Sequence, residues 1–304
     1  MSNLYQRRIL DSDAITAIAP NHLELSAEQL RARLWSQLRS KVHGLSFSAY
    51  LPGQGPEEQS QLSPAQIRAR MEIIAPYCRW IRTFSCTDGN EFAPAIAREL
   101  GLKTLVGAWI GDDADKNERE VSALIELARR GEADQVAVGN EVLLRGDLPE
   151  DELLQMITRV KQALPDVPVG YVDAYYLFED HPRLVDACDV LFINCYPFWE
   201  KFELKASIGA MREMVARVRR INKGKPIVIS ETGWPTQGSP VGAAVPSDTH
   251  ALLYALNTFE WTTEQDIPLF YFSSFDEQWK AGPEGDCGAF WGFWDQEGAP
   301  KHGG

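Results

Sequence analysis

Two glutamates each end an apolar run: Glu141 in Gln135-Val-Ala-Val-Gly-Asn-Glu-Val142, and Glu231 in Ile227-Val-Ile-Ser-Glu-Thr-Gly-Trp-Pro235. The runs are short, rich in β-branched residues, and closed by Gly139 in one case and Thr232-Gly233 in the other. That is how a doubly covered parallel strand reads where it stops. Each carboxylate is therefore delivered to the C-terminal mouth of a strand. A buried carboxylate costs several kcal/mol unless it is paired or hydrogen-bonded, so two of them point to chemistry: one as acid and base, the other as nucleophile.

The elements that must position them alternate along the chain, strand then amphipathic helix, as in a parallel α/β sheet. Eight strands are expected, at Gly44–Tyr50, Trp80–Phe84, Thr104–Trp109, Gln135–Val138, Val169–Val172, Val190–Asn194, Ile227–Ser230 and Leu269–Ser273. Ser63-Pro64 supplies a cap and a proline for a helix whose apolar stripe is Ile67, Met71 and Ile74. The same period returns at Leu153, Ile157 and Val160, and at Ile208, Met211, Val215 and Val218. Eight such repeats predict an α/β fold of the (β/α)8 TIM-barrel type, with its active site at the strands' C-terminal face. The alternative, a doubly wound sheet, needs a glycine-rich phosphate turn that the sequence lacks. The expected division is a short N-terminal helical extension, residues 1–40 with a helix from Ser26 to about Leu38, followed by a single catalytic barrel over 41–304.

Ser230-Glu231-Thr232-Gly233-Trp234-Pro235 resembles the nucleophile signature of glycoside hydrolase family 17, the β-1,3-glucanase and glucanosyltransferase family. Val138-Gly139-Asn140-Glu141-Val142 resembles its acid/base motif, in the same order along the chain. The 90 residues between the glutamates leave room for about three strand-helix units, matching the family's placement of the pair on strands four and seven. The resemblance spans residues 44 to 297. It implies a retaining enzyme in which Glu231 attacks the anomeric carbon while Glu141, holding the proton that mutual repulsion keeps on the pair, protonates the leaving oxygen. Such a pair stands about 5–5.5 Å apart, against about 6.5–9.5 Å in an inverting enzyme. Hydrolysis and transfer to another sugar use the same residues, so glycoside hydrolase and transglycosylase remain alternatives, and the linkage and the endo or exo cutting frame stay open.

The resemblance also implies supporting roles: Asn140 on the sugar 2-hydroxyl, Tyr196 orienting the nucleophile, and Glu277 with Lys280 on sugar hydroxyls. Arg82 places a guanidinium on a strand that should be apolar, and a buried Arg needs a carboxylate, Glu231 or another acid of the mouth. Asp88 and Asp173 fall at strand ends and are expected as secondary sugar contacts. Phe198, Trp199, Trp234 and Trp279 are expected to offer flat faces to sugar rings. Phe47 stands where many relatives carry Tyr, so a hydroxyl contact is not expected there.

Composition narrows the partners. A charge of −13 over 304 residues excludes nucleic acid and anionic membrane surface as natural partners, and a neutral β-glucan oligosaccharide or polysaccharide suits it. Five cysteines without Cys-x-x-Cys spacing and five scattered histidines indicate neither a disulfide framework nor a metal site, and the mechanism calls for no cofactor. No apolar segment approaches a membrane span or a signal peptide. The chain as written is expected in the cytoplasm, or in the periplasm or medium if it is cut from a longer exported parent. A catalytically silent sugar-binding barrel is the remaining class, and the presence of both glutamates argues against it.

Overall fold

The computed structural model describes Ile15 and residues 20–302. Strands β1 (Val42–Ser46), β2 (Cys78–Arg82), β3 (Lys103–Ala108), β4 (Gln135–Asn140), β5 (Val169–Ala174), β6 (Val190–Asn194), β7 (Ile227–Thr232) and β8 (Leu269–Tyr271) form a closed barrel. Each pairs in parallel with the next, and β8 returns to β1. All eight expected strands are present. The first is displaced: it ends at Ser46 rather than Tyr50, and Phe47, Ser48 and Tyr50 turn into the wall of a cleft at the mouth.

Alternation along the strands builds the barrel's interior in tiers. Leu105, Ala137, Val172, Val190, Phe192, Val228 and Phe270 form a closed apolar layer with Trp80 packed against it. Two residues further along three of these strands, on the same inward face, Trp80 gives way to Arg82, Phe192 to Asn194 and Val228 to Ser230. The apolar layer is thus a floor under a polar tier. Beneath it, the His43 ring stacks on Trp80 at 5.6 Å and meets Phe270 edge-on at 5.3 Å.

The outer layer consists of α2 (Pro64–Ile74), α3 (Ala93–Glu99), α4 (Ala114–Arg129), the short α5 (Val142–Arg145), α6 (Glu150–Ala163), α7 (Leu177–Asp180), α8 (Pro182–Ala187), α9 (Leu204–Ile221) and α10 (Asp248–Glu264). Ser63 caps α2 by accepting from the Gln66 amide at 3.2 Å. After β8 the described chain forms only two 3₁₀ turns, Gln278–Ala281 and Asp286–Ala289. The vacant sector is filled from the other end of the chain. Helix α1 (Ala27–Arg39), opened by a Ser26–Gln29 capping box, packs on α10 and β1. Its Trp35 indole donates to the His302 carbonyl at 3.2 Å, so α1 is tied to the last described residues. The five cysteines are all buried thiols. Among the described residues no helix is long and apolar enough to cross a membrane.

Candidate active site

Glu141 is presented by a break in β4. The β4–β5 register shifts between Ala137 and Asn140, and Gly139 there has φ 87°. A Cβ on Gly139 would lie 2.7 Å from Val142 Cγ2, so both the backbone sign and the space call for glycine. Glu141 itself is left-handed, φ 54° and ψ 31°, with its amide still bonded to the Val172 carbonyl of β5 at 2.8 Å. The turn lifts the side chain out of the strand's alternation.

Glu231 is presented by a matching irregularity. The β6–β7 register shifts so that Asn194 faces Glu231, whose carbonyl accepts from the Cys195 amide at 2.9 Å. Two residues on, a Cβ at Gly233 would stand 2.0 Å from the Phe272 carbonyl oxygen. Backbone cannot yield as a flexible side chain does. Gly233→Ala is therefore expected to cost at least about 1–3 kcal/mol, as overpacking does, and denaturant melts of the variant measure it.

The two carboxylates meet over the polar tier. Asn194 Nδ2 donates to Glu141 Oε1 at 2.7 Å and to Glu231 Oε1 at 3.2 Å. Those legs cap the separation of the two facing oxygens at 5.9 Å, so one amide nitrogen spans the pair. Ser230 Oγ donates to Asn194 Oδ1 at 2.8 Å and so fixes which end of the amide faces the acids. Arg82 Nη1 donates to Glu231 Oε1 at 2.7 Å, its Nη2 to Asn140 Oδ1 at 2.8 Å, and the Tyr196 hydroxyl to Glu231 Oε2 at 2.7 Å. Arg82, Asn194, Tyr196 and both glutamates are all buried. In so dry a site a charge-assisted bond is worth more than in water, and removing one partner strands the other.

Above the pair lies a cleft of about 400 Å³, within the range of small-molecule sites. Phe47, Tyr50, Phe84, Trp109, Phe272 and Trp279 give it apolar walls; Asp88, Asn140, Glu277, Lys280 and Glu284 give it polar ones. Lys280 Nζ pairs with Glu277 Oε2 at 2.5 Å and lies 4.1 Å from the centre of the Phe272 ring. The Trp279 indole donates to Glu277 Oε1 at 3.1 Å, and its ring meets Tyr50 edge-on at 6.2 Å. Burial first, then the charges of Glu277, Glu231 and Glu141, push the Glu284 carboxyl up to about 7, with Lys280 opposing.

The BtgE/BtgC glycoside hydrolase domain matches residues 44–292. The chain belongs to family 17 of the glycoside hydrolases. A glucan 1,3-beta-glucosidase of Schizosaccharomyces pombe is 31% identical over 232 residues, 70% of this chain and 72% of that one. A family 17 beta-1,3-glucanosyltransferase of Rhizomucor miehei superposes with a TM-score of 0.77 at 27% identity, covering 86% of this chain and 96% of the other. An active-site mutant of that Rhizomucor enzyme, solved with laminaritriose, superposes equally well.

Within this family 17 barrel the expected site residues divide. Glu141, Glu231, Asn140, Tyr196 and Arg82 converge on one network, and Glu277, Lys280, Asp88 and Trp279 line the cleft. Four others lie elsewhere. Asp173 is fully buried, bonded to the Tyr171 hydroxyl and to the Ala174 amide, and does not line the cleft. Phe198, Trp199 and Trp234 belong to the apolar core, where Phe198 packs edge-on against both tryptophans and against Trp291. Beyond Tyr196 the loops after β6 and β7 pack on one another through these rings, and Trp234 packs on Tyr254 of α10 at 5.3 Å. Trp234 even satisfies its indole inside, on the Val245 carbonyl at 3.0 Å.

The two kinds of tryptophan should separate experimentally. Trp199→Ala is expected to cost about 3–5 kcal/mol of stability and to lower activity on every substrate alike. Trp279→Ala should keep its melting temperature within a few degrees and raise KM for long oligosaccharides more than for a short aryl glycoside. Melting curves alongside kinetics on two substrate lengths decide it.

Asn194, Glu284 and the cleft walls Tyr50, Phe84, Trp109 and Phe272 are not among the residues the sequence singles out. Asn194 was legible as a polar residue closing an otherwise apolar strand, Val190-Leu-Phe-Ile-Asn194, the same pattern that marks the glutamates. Glu284 sits in a loop, Ala281-Gly-Pro-Glu-Gly285, with no periodicity around it, and only the folded loop brings it to the cleft.

Proposed function

We propose that this chain is a retaining β-1,3-glucan-active enzyme in which Glu231 is the nucleophile and Glu141 the acid and base. One observation carries the assignment: a single amide hydrogen-bond donor, Asn194 Nδ2, reaches both carboxylates, which supports the close approach that a direct displacement needs. Glu231, paired with Arg82 and oriented by Tyr196, attacks the anomeric carbon as the glycosidic bond breaks. Glu141 gives its proton to the leaving oxygen. It then takes one back from the incoming hydroxyl, which displaces Glu231 from the sugar. Arg82 also holds Oδ1 of Asn140, leaving the Nδ2 end of that amide for a sugar hydroxyl. Glu277, Lys280 and Asp88 supply further polar contacts, and Trp279 a flat wall.

The incoming hydroxyl belongs to water or to a second sugar. The aromatic walls of the cleft favour transfer as the second reading, since they hold an acceptor sugar over the ester, and the Rhizomucor neighbour is a glucanosyltransferase. Incubation with laminari-oligosaccharides of defined length tests both. Products shorter than the substrate mark hydrolysis, products longer than it mark transfer, and no change over any length refutes glucan activity.

A further inference from the structure

Asp173 is the last residue but one of β5 and is shielded from the cleft, and its neighbour Val172 accepts the Glu141 amide at 2.8 Å. Its Oδ2 accepts the Tyr171 hydroxyl and its Oδ1 the Ala174 amide at 2.7 Å. The Tyr171 oxygen in turn accepts the Leu143 amide at 3.0 Å. Leu143 lies two residues past Glu141, in the first turn of α5, and Tyr171 is itself fully buried. The three groups form a chain from a buried carboxylate to the backbone just beyond the acid. On the near side, Arg145 donates to the Asn140 carbonyl, and to the Ile110 carbonyl at 2.9 Å. The left-handed backbone of Glu141 is therefore gripped from both flanks. A residue other than glycine keeps that conformation only where its surroundings over-determine it.

We propose that Asp173, acting through Tyr171, is a positioning residue for Glu141: it holds the acid's backbone in its left-handed turn and sets a second carboxyl, closed off from substrate, against it. The inference rests on the reading of Glu141 as acid and base, and extends it to a residue that no sugar touches.

Position and charge give separable consequences. If the Tyr171 link is cut, Glu141 loses its aim at the leaving oxygen, and the loss appears where proton donation matters. The charge acts through pH. Burial first, then the charge of Glu141, push Asp173 up to about 7, with the Tyr171 hydroxyl and the Ala174 and Leu144 amides opposing. The pair is faced by Tyr171 and Arg145 on the inner side and by Asn194, Glu231, Tyr196 and Glu284 on the cleft side. The two carboxyls repel whichever ionises first, so the pair gives up its last proton at higher pH than either group would alone. Replacing Asp173 by a neutral group removes that repulsion, and the alkaline limb must move down.

The test uses the full chain, with Asp173→Asn and Tyr171→Phe assayed on laminari-oligosaccharides and on an aryl glycoside with a good leaving group. For folded Asp173→Asn the alkaline limb of kcat/KM should fall by roughly 0.5–1 pH unit. Tyr171→Phe keeps the carboxyl but not the link, so kcat/KM on oligosaccharides should drop about tenfold, with a much smaller loss of kcat/KM on the aryl glycoside. A folded Asp173→Asn with the wild-type limb overturns the charge coupling, and a Tyr171→Phe with the wild-type ratio of rates overturns the positioning. Should Asp173→Asn fail to melt cooperatively, the Tyr171→Phe ratio decides alone. Glu141→Gln in the same assays guards the foundation. Equal loss of kcat/KM, which reports the first step, on both substrates there overturns the acid assignment itself, a result distinct from normal acid behaviour beside a silent Asp173.

Discussion

Glu231→Ala should lower turnover of laminari-oligosaccharides by at least roughly a thousandfold, because no other group stands where a covalent bond to the anomeric carbon can form. The variant has a second expected signature. Arg82, buried and donating to Glu231 at 2.7 Å, is left with Asn140 and the Ser230 carbonyl as partners. Breaking a buried pair from one side typically costs about 3–5 kcal/mol. Azide, small and anionic, fits the vacated place against the guanidinium. It should therefore raise the variant's melting temperature and restore cleavage of an aryl glycoside with a good leaving group, giving a product of inverted configuration. Kinetics and melting curves with and without azide, and the anomeric configuration of the azide product, check each part; near wild-type activity on oligosaccharides in the variant would falsify the assignment.

The barrel and its two glutamates were legible in the sequence because both follow from local pattern. β-branched runs broken by glycine mark strand ends, and a carboxylate there has no structural reason to exist unless partners await it. Arg82 was legible for the same reason, as a charge on a strand that should be apolar, and Glu231 is the partner it called for. What failed was geometry beyond the strand end. Trp199 and Trp234 lie close in sequence to the catalytic strands, yet their loops pack on one another and bury them among Phe198 and Trp291. Trp279, after β8, stays at the mouth. Asp173 misled in the opposite direction. It sits at a strand end as the catalytic acids do, but β5 keeps its pairing with β6 through Ala174, so alternation with the inward Val172 leaves its side chain on the outer face with Tyr171. The breaks that lift Glu141 and Glu231 are register shifts at β4–β5 and β6–β7, and a register shift is a relation between strands that no single run of residues records. The completion of the outer layer is another such relation: α1, read as an extension, packs on α10 and β1 in the sector after β8.

Glu141→Ala should separate substrates by the basicity of their leaving groups. Proton donation typically contributes about 10²–10⁴-fold, and it matters most where the departing oxygen is a sugar alkoxide. Cleavage of laminari-oligosaccharides should fall within that range, while the first step on an activated aryl glycoside should be nearly unimpaired. The second step still needs Glu141 as base, so the glycosyl-enzyme should accumulate on the aryl substrate as a burst followed by slow turnover. Azide needs no base. It should relieve the slow step, and because it attacks the sugar on Glu231 and not the free substrate, the product should keep the configuration of the starting glycoside, opposite to the product from Glu231→Ala. The two glutamates share the Asn194 amide and lie within 5.9 Å of each other at their facing oxygens, so proximity alone cannot tell which does what. The stereochemistry of the two azide products can: the same configuration from both variants, or equal losses on sugar and aryl leaving groups, would remove Glu141 from its role.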